Sequence, residues 1–201
     1  RLMAGVNDNE PDGDGHHGCL IVILGPSGAG KDSILSLARD HLEGRKDVLF
    51  VRRSITRPAH DDSEDFEPLN DVEFDAGLKL GRFCFHWQAN GLRYALPITM
   101  ADHLAEGGVA VVNGSRAAYR HMREVFAETR AVLVRVEPSV LRERLKRRGR
   151  EDADEIEARI ERAATYLDAI KPDAVIDNSG SLEDAAAHFV DYVKAESRGR
   201  R

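Results

Sequence analysis

The nine residues from Gly25 to Ser33, Gly-Pro-Ser-Gly-Ala-Gly-Lys-Asp-Ser, place three glycines and a lysine between an apolar run and a helical pattern. Glycines in such a turn let backbone N–H groups curl around phosphate oxygens, and the following helix N-terminus adds a favourable dipole. Gly25, Pro26, Ser27, Gly28, Ala29, Gly30, Lys31, Asp32 and Ser33 are therefore candidate nucleotide-binding residues, and Lys31 is a candidate catalytic residue bridging the β- and γ-phosphates. The pattern G-x-x-x-x-G-K normally continues with Ser or Thr, whose hydroxyl holds magnesium. Here Asp32 stands at that position and Ser33 follows. Both are candidate metal ligands, and the sequence does not choose between them. The expected cofactors are ATP and Mg2+. The competing reading is a glycine-rich turn with an accidental lysine, and the flanking strand-like and helix-like patterns weigh against it.

Two further groups of cations suit phosphoryl transfer. Arg52-Arg53-Ser54-Ile55-Thr56-Arg57-Pro58 leads out of a strand-like run into a polar segment, where arginine forks could clamp an acceptor phosphate. Arg53 and Arg57 are the candidates, Arg57 first; the alternative is solvated charge at a strand end. Leu141 to Arg150 is a basic helix running into Gly149, with the acidic run EDADE after it. It reads as a lid hinged at Gly149, with Arg148 and Arg159 offsetting charge in transit. For Arg144 and Arg147 a solvated helix face is an equally good reading.

These groups need a scaffold that brings them together. Cys19–Leu24, Val48–Val51, Val109–Val112, Ala131–Val136 and Ala174–Asp177 are short apolar runs of the kind buried on both faces of a parallel sheet. Helical patterns lie between them, clearest over 117–126, 140–147 and 182–194, the last opened by Ser181 with Asp184. The fold class expected is α/β, a P-loop NTPase-type parallel sheet flanked by helices, with its site beyond the carboxyl ends of the strands. Between Arg52 and Pro97 the rhythm changes to a polar loop, a helix near 72–80, and two strand-like runs around Asn90-Gly91, a hairpin signal. The organisation expected is a flexible tail over 1–18 and one kinase domain over 19–198. Within it the core is 19–54, 98–140 and 165–198, the acceptor lobe 55–97 and the lid 141–164.

Composition narrows the function classes. The 201 residues are 42% hydrophobic and 32% charged, as in soluble globular chains, and the formal net charge of −6 argues against a general nucleic-acid binder. No apolar run approaches the roughly 20 residues that span a bilayer. The opening stretch also lacks the basic-then-apolar layout of a secretory signal, so a cytoplasmic protein is expected. Cys19 and Cys84 sit in apolar runs, and His16-His17 has too few neighbours to suggest a metal site.

Across nearly the whole folded chain the residues resemble the guanylate kinase family: GPSGAGK, SITRP, GRFCFHWQANGLRYALP, RLKRRGRED with EIEARIERA, and VIDNSG, in that order. Within it, GKDS, FHWQANGLRY and VVNGSR are closer to the ribose 1,5-bisphosphate phosphokinases of bacterial phosphonate use. That resemblance implies ATP-dependent conversion of ribose 1,5-bisphosphate to phosphoribosyl diphosphate, with a small phosphorylated sugar as partner. A guanylate kinase carries an acidic residue after its Gly-x-Phe turn that reads guanine; Phe85 stands there and accepts no hydrogen bond. The acidic pair near the end of the third strand is replaced around Asn113 and Ser115, with Arg116 adjacent. A second acceptor phosphate would favour such a loss of carboxylates. His86, Arg93 and Arg116 are candidates for it, although His86 could pack beside Trp87 and Arg93 could face water. Tyr94 matches a family tyrosine that hydrogen-bonds the acceptor phosphate, or else serves sheet packing. The rival functions are a GMP kinase, a non-catalytic guanylate kinase-like module and a phosphate-sensing ATPase.

Overall fold

The run Cys19–Leu24 is apolar at every position because, as strand β1, it has a core on each side. All six residues are buried. Cys19, Ile21 and Ile23 pack into one apolar cluster with Ile34, Ala38 and Phe189, while Leu20, Val22 and Leu24 pack into a second with Met100, Tyr119 and Met122. Alternation in a central strand thus feeds two layers at once. The computed structural model describes residues 18–58, 65–149, 152–167 and 171–199, without the side chains of 148, 162 and 164–167. The expected tail up to 17, His16-His17, residues 59–64 of the polar loop and the side chain of Arg148 lie outside the described residues.

β1 leads into helix α1 (Lys31–His41). Then come β2 (Val48–Phe50), β3 (Arg53–Ile55), β4 (Phe66–Pro68), α2 (Asp71–Lys79), β5 (Phe83–Ala89) and β6 (Leu92–Pro97). The rest is α3 (Ile98–Ala105), β7 (Val109–Asn113), α4 (Arg116–Val125), β8 (Thr129–Arg135), α5 (Pro138–Arg148), α6 (Ala153–Leu167), β9 (Ala174–Asp177) and α7 (Leu182–Arg198). The core sheet has the order β2-β7-β1-β8-β9, and its pairings are all parallel. Helices flank it as the apolar runs predict. The strand ends that carry Leu24, Asn113, Arg135 and Asp177 therefore share one edge, where an open parallel sheet binds its ligands.

The stretch with the altered rhythm forms a second sheet, in the order β4-β3-β6-β5. Asn90 and Gly91 have φ of 51° and 74°, the left-handed pair that a two-residue hairpin turn needs, so β5 and β6 pair antiparallel. α2 opens with a full capping box between Asn70 and Glu73. β4 has no signature in the residue pattern, since its three residues are held mainly by pairing with β3. α3 also went unseen, because eight residues are too few to show a helical period.

α5 and α6 form the segment that the sequence suggests as a lid. Arg142 and Glu157 join them through two parallel bonds of 2.7 and 2.9 Å, and Arg142 holds the Glu157 carboxyl below its ordinary range. Gly149 ends α5 at φ 63°, a left-handed cap that favours glycine.

Candidate active site

The edge of the core sheet, the hairpin and the lid enclose a cavity of about 950 Å³. Its floor is the loop after β1. Gly30 caps α1 in the left-handed region, at φ 86° and ψ 21°. A Cβ at Gly30 would come within 2.4 Å of Asn178 Nδ2. Gly30→Ala is therefore expected to add about 1–2 kcal/mol of backbone strain and push Asn178 aside. A lower melting temperature together with lost nucleotide binding checks this. Lys31 Nζ donates to the carbonyls of Gly25 and Pro26, at 2.8 and 3.1 Å, which keeps the loop curled and the ammonium at its centre. Asn178, 1% exposed, donates from Nδ2 to Ala29 O at 2.7 Å and braces the loop from behind. Its Oδ1 is buried with no hydrogen bond from the described residues.

Asp32 begins α1 beside Lys31 and receives a 2.7 Å hydrogen bond on Oδ1 from Asn113 Nδ2, at the end of β7. Both residues and Ser33 line the cavity. An Asp32 carboxylate and a Ser33 hydroxyl are hard oxygen donors. Magnesium is usually held by one or two such protein ligands together with phosphate oxygens and water, so the residues present fit it. No cluster of three or more His, Cys, Asp or Glu able to hold a metal occurs among the described residues.

Opposite the loop lies a cationic wall. Arg53 and Arg57 enter the cavity from and just beyond β3, their guanidinium groups 5.6 Å from the Tyr94 ring and 4.3 Å from the Phe66 ring. Tyr94 stacks on Trp87, with centroids 5.0 Å apart and planes 10° apart, and both line the cavity. Ser115 caps α4 by accepting from Ala118 N, and Arg116 follows it on the cavity wall. From the lid, Arg159 donates to Ser27 Oγ at 2.8 Å and so tethers α6 to the phosphate loop.

His86 and Arg93 are not on that wall. Trp87 and Tyr94 are cross-strand partners facing the cavity, so their neighbours in sequence point to the other side of the hairpin. There Arg93 lies 4.2 Å from the Phe74 ring and bonds Asp75 at 2.7 Å and Asp71 at 3.4 Å, tying the hairpin to α2. Burial, then the Arg93 charge, holds the His86 imidazole below its ordinary value. The expectation that these two residues meet an acceptor phosphate is thus corrected. Arg93→Ala should cost about 1 kcal/mol of stability while leaving the acceptor KM unchanged. A denaturation curve and steady-state kinetics on one preparation check both halves.

Among the cavity residues outside the candidate set read from sequence are two polar ones that face the loop, Asn178 and Arg144. Asn178 follows β9 at the carboxyl edge of the sheet, a position that alone could have drawn notice. For Arg144 the sequence leaves a lid cation and a solvated face equally open; it lines the cavity and has no carboxylate partner among the described residues. Burial, then the neighbouring Arg147, pulls its guanidinium below the ordinary value, which marks it as a cation short of an anion. Phe85 lies 6% exposed behind the cavity wall, its ring centroid 5.7 Å from Trp87 and 6.0 Å from Phe126.

A glycine-rich loop at a helix N-terminus, a lysine within it and arginines converging from β3 and from α5 and α6 define a P-loop phosphotransferase. The solved structure of guanylate kinase from Anaplasma phagocytophilum has the same fold, with a TM-score of 0.66 over 91% of this chain and 88% of that one, at 18% identity. A family profile described as "AAA domain" matches residues 21–166. Ribose 1,5-bisphosphate phosphokinase PhnN of Brucella melitensis is 39% identical over 176 residues, covering 88% of this chain and 92% of the relative. The protein of the same name from Pseudomonas paraeruginosa is 43% identical over 168 residues, covering 83% and 90%. The chain belongs to the ribose 1,5-bisphosphate phosphokinase family.

Proposed function

We propose that this protein transfers the γ-phosphoryl group of ATP to ribose 1,5-bisphosphate, forming 5-phosphoribosyl 1-diphosphate and ADP. The observation that carries the reading is the cavity wall. Among the described residues it presents Lys31, Arg53, Arg57, Arg116, Arg144 and Arg159 against one acidic side chain, Asp32. The position where a guanine reader would stand is filled by buried Phe85. Such a site suits an acceptor with phosphate at both ends and offers no carboxylate to a purine edge.

The accepting atom is a phosphate oxygen, and a phosphomonoester with a second pKa of about 6 is already largely ionised at neutral pH. No residue is therefore needed as general base. The task left to the protein is alignment of two polyanions and relief of their repulsion. The loop N–H groups and Lys31 hold the nucleotide phosphates. Arg53 and Arg57 clamp the acceptor phosphate that receives the transfer, with Tyr94 beside them. Arg116, Ser115 and the start of α4 receive the second phosphate. Arg159 stabilises charge during transfer, and Arg144 with Asn178 borders the nucleotide. Magnesium, when bound at Asp32 or Ser33, supplies neutralising charge to the β- and γ-phosphates. The partner is thus a small phosphorylated sugar. No helix among the described residues is long and apolar enough to cross a membrane.

Phosphorus NMR of a reaction with ATP, magnesium and ribose 1,5-bisphosphate tests the reading. A new pair of diphosphate resonances accompanied by ADP supports it. ATP consumed to ADP and inorganic phosphate at the same rate without the sugar would replace it with an ATPase.

A further inference from the structure

The lobe sheet has the order β4-β3-β6-β5, so Tyr94 on β6 has a strand on each side. Trp87 is its partner on β5, and Ile55 its partner on β3. Arg53 precedes Ile55 by two positions and therefore lies on the same face, within the diagonal reach of a long side chain. Its guanidinium is 5.6 Å from the Tyr94 ring centroid, while the Trp87 indole stacks on that ring at 5.0 Å with 10° between the planes. Three neighbouring strands thus contribute one row, Trp87, Tyr94 and Arg53, to the cavity side of the sheet.

The row has a buried end and an open one. Trp87 is 4% exposed and belongs to the apolar cluster of Phe85, Leu96 and Met100, with the Phe85 ring centroid at 5.7 Å. Tyr94 packs against that cluster and is half-buried, as is Arg53. A tyrosine ring turns about only two side-chain torsions. With Trp87 on one flank and Arg53 on the other, both torsions are held and the ring meets the cavity by its edge. Such fixing matters where alignment is most of what the protein supplies. We infer that Trp87 is a positioning residue for the acceptor, acting through Tyr94 and the Arg53 guanidinium beside it and not through contact with substrate. The inference rests on the phosphokinase reading of the cavity. The indole carries the rigidity of the apolar cluster into the row, whereas a smaller apolar residue at 87 would leave the Tyr94 ring able to tilt. The phosphate loop stands on the other sheet, so the nucleotide half of the cavity does not depend on this row.

Steady-state kinetics with ribose 1,5-bisphosphate, beside calorimetry with a non-hydrolysable ATP analogue, test this in the full chain. Trp87→Leu should lower kcat/KM for the acceptor about tenfold, near the upper end for a lost aromatic pair, with analogue affinity unchanged. Trp87→Phe keeps a flat ring for Tyr94 and should recover most of that loss. In a Tyr94→Ala background, Trp87→Leu should cost less than about a further twofold, because a residue that acts through Tyr94 then has nothing to act on. A residue that only held the lobe together would lower the melting temperature and multiply its loss onto that of Tyr94→Ala. Trp87 is the only tryptophan in the chain, so wild-type fluorescence gives a readout that needs no variant to fold. Saturation with ribose 1,5-bisphosphate should shift its emission, since the acceptor seats against the ring stacked on it. The inference would be overturned by flat emission during saturation with an acceptor that turns over, or by multiplicative losses in the double variant. A folded Trp87→Leu within about twofold of wild type would overturn it as well. Failure of wild type to turn over the bisphosphate at all would instead remove the phosphokinase reading on which the inference stands.

Discussion

Lys31→Ala should lower kcat by about 10²- to 10³-fold or more, the usual effect of removing one preorganised donor to developing charge, and leave the fold in place. Lys31 Nζ donates to the carbonyls of Gly25 and Pro26, two acceptors of the loop that floors the cavity. Losing it exposes those carbonyls to water and creates no apolar void, so the melting temperature should move by only a few degrees. The catalytic loss has a different origin. The ammonium can exchange loop carbonyls for the phosphate oxygens of a nucleotide, and among the described residues no other lysine lines the cavity to replace it. Turnover by Lys31→Ala within a few-fold of wild type would remove the loop from the chemistry. Circular dichroism on the same sample separates that outcome from unfolding.

Arg57→Ala should reduce kcat/KM for the acceptor by about a hundredfold or more, with ATP-analogue affinity nearly unchanged, because a desolvated charge partner of a phosphate is worth about 2–5 kcal/mol. Arg57 lies just past β3, on the acceptor side of the cavity, against the Phe66 ring at 4.3 Å. That packing fixes the plane of the guanidinium before the substrate arrives. Arg57→Lys keeps the charge and loses the planar fork, so it should recover only part of the loss. A matching drop in nucleotide affinity would show that Arg57 acts on the nucleotide instead.

The core of the fold was legible because strand and helix patterns in it are imposed by burial. An unbroken apolar run such as Cys19–Leu24 has only one comfortable place in a parallel sheet, and the loop after it marks the site edge. The acceptor lobe was harder to read. β3 and β4 are three residues each, and their pairing depends on each other more than on any periodic pattern. The assignment of His86 and Arg93 failed on a rule that was available. Arg93 and Tyr94 are consecutive in a strand and cannot both face one cavity, and Tyr94 already matched the family tyrosine. What the sequence could not disclose was the other partner of each cation. Arg93 has three carboxylate and ring neighbours contributed by α2, whereas Arg144 has no carboxylate neighbour, and such long-range pairing is set by tertiary packing alone.

The departure at Asp32 could be seen at once but not interpreted. Only the hydrogen bond from Asn113 shows that the change in the loop and the loss of an acidic residue at the end of β7 belong to one arrangement. Two positions that look separate in sequence, Asp32 after the loop lysine and Asn113 at the end of β7, are joined through space.

The acceptor is the central claim, and paired kinetics on one preparation test it most directly. Purified protein, ATP and magnesium would be offered ribose 1,5-bisphosphate in one series and GMP in the other, with kcat/KM measured for each. The reading predicts a ratio favouring the bisphosphate by about 10² or more, since Phe85, buried behind the wall, stands where a guanine reader would and offers no hydrogen-bond acceptor to the purine edge. A GMP value equal to or above that for the bisphosphate would contradict it.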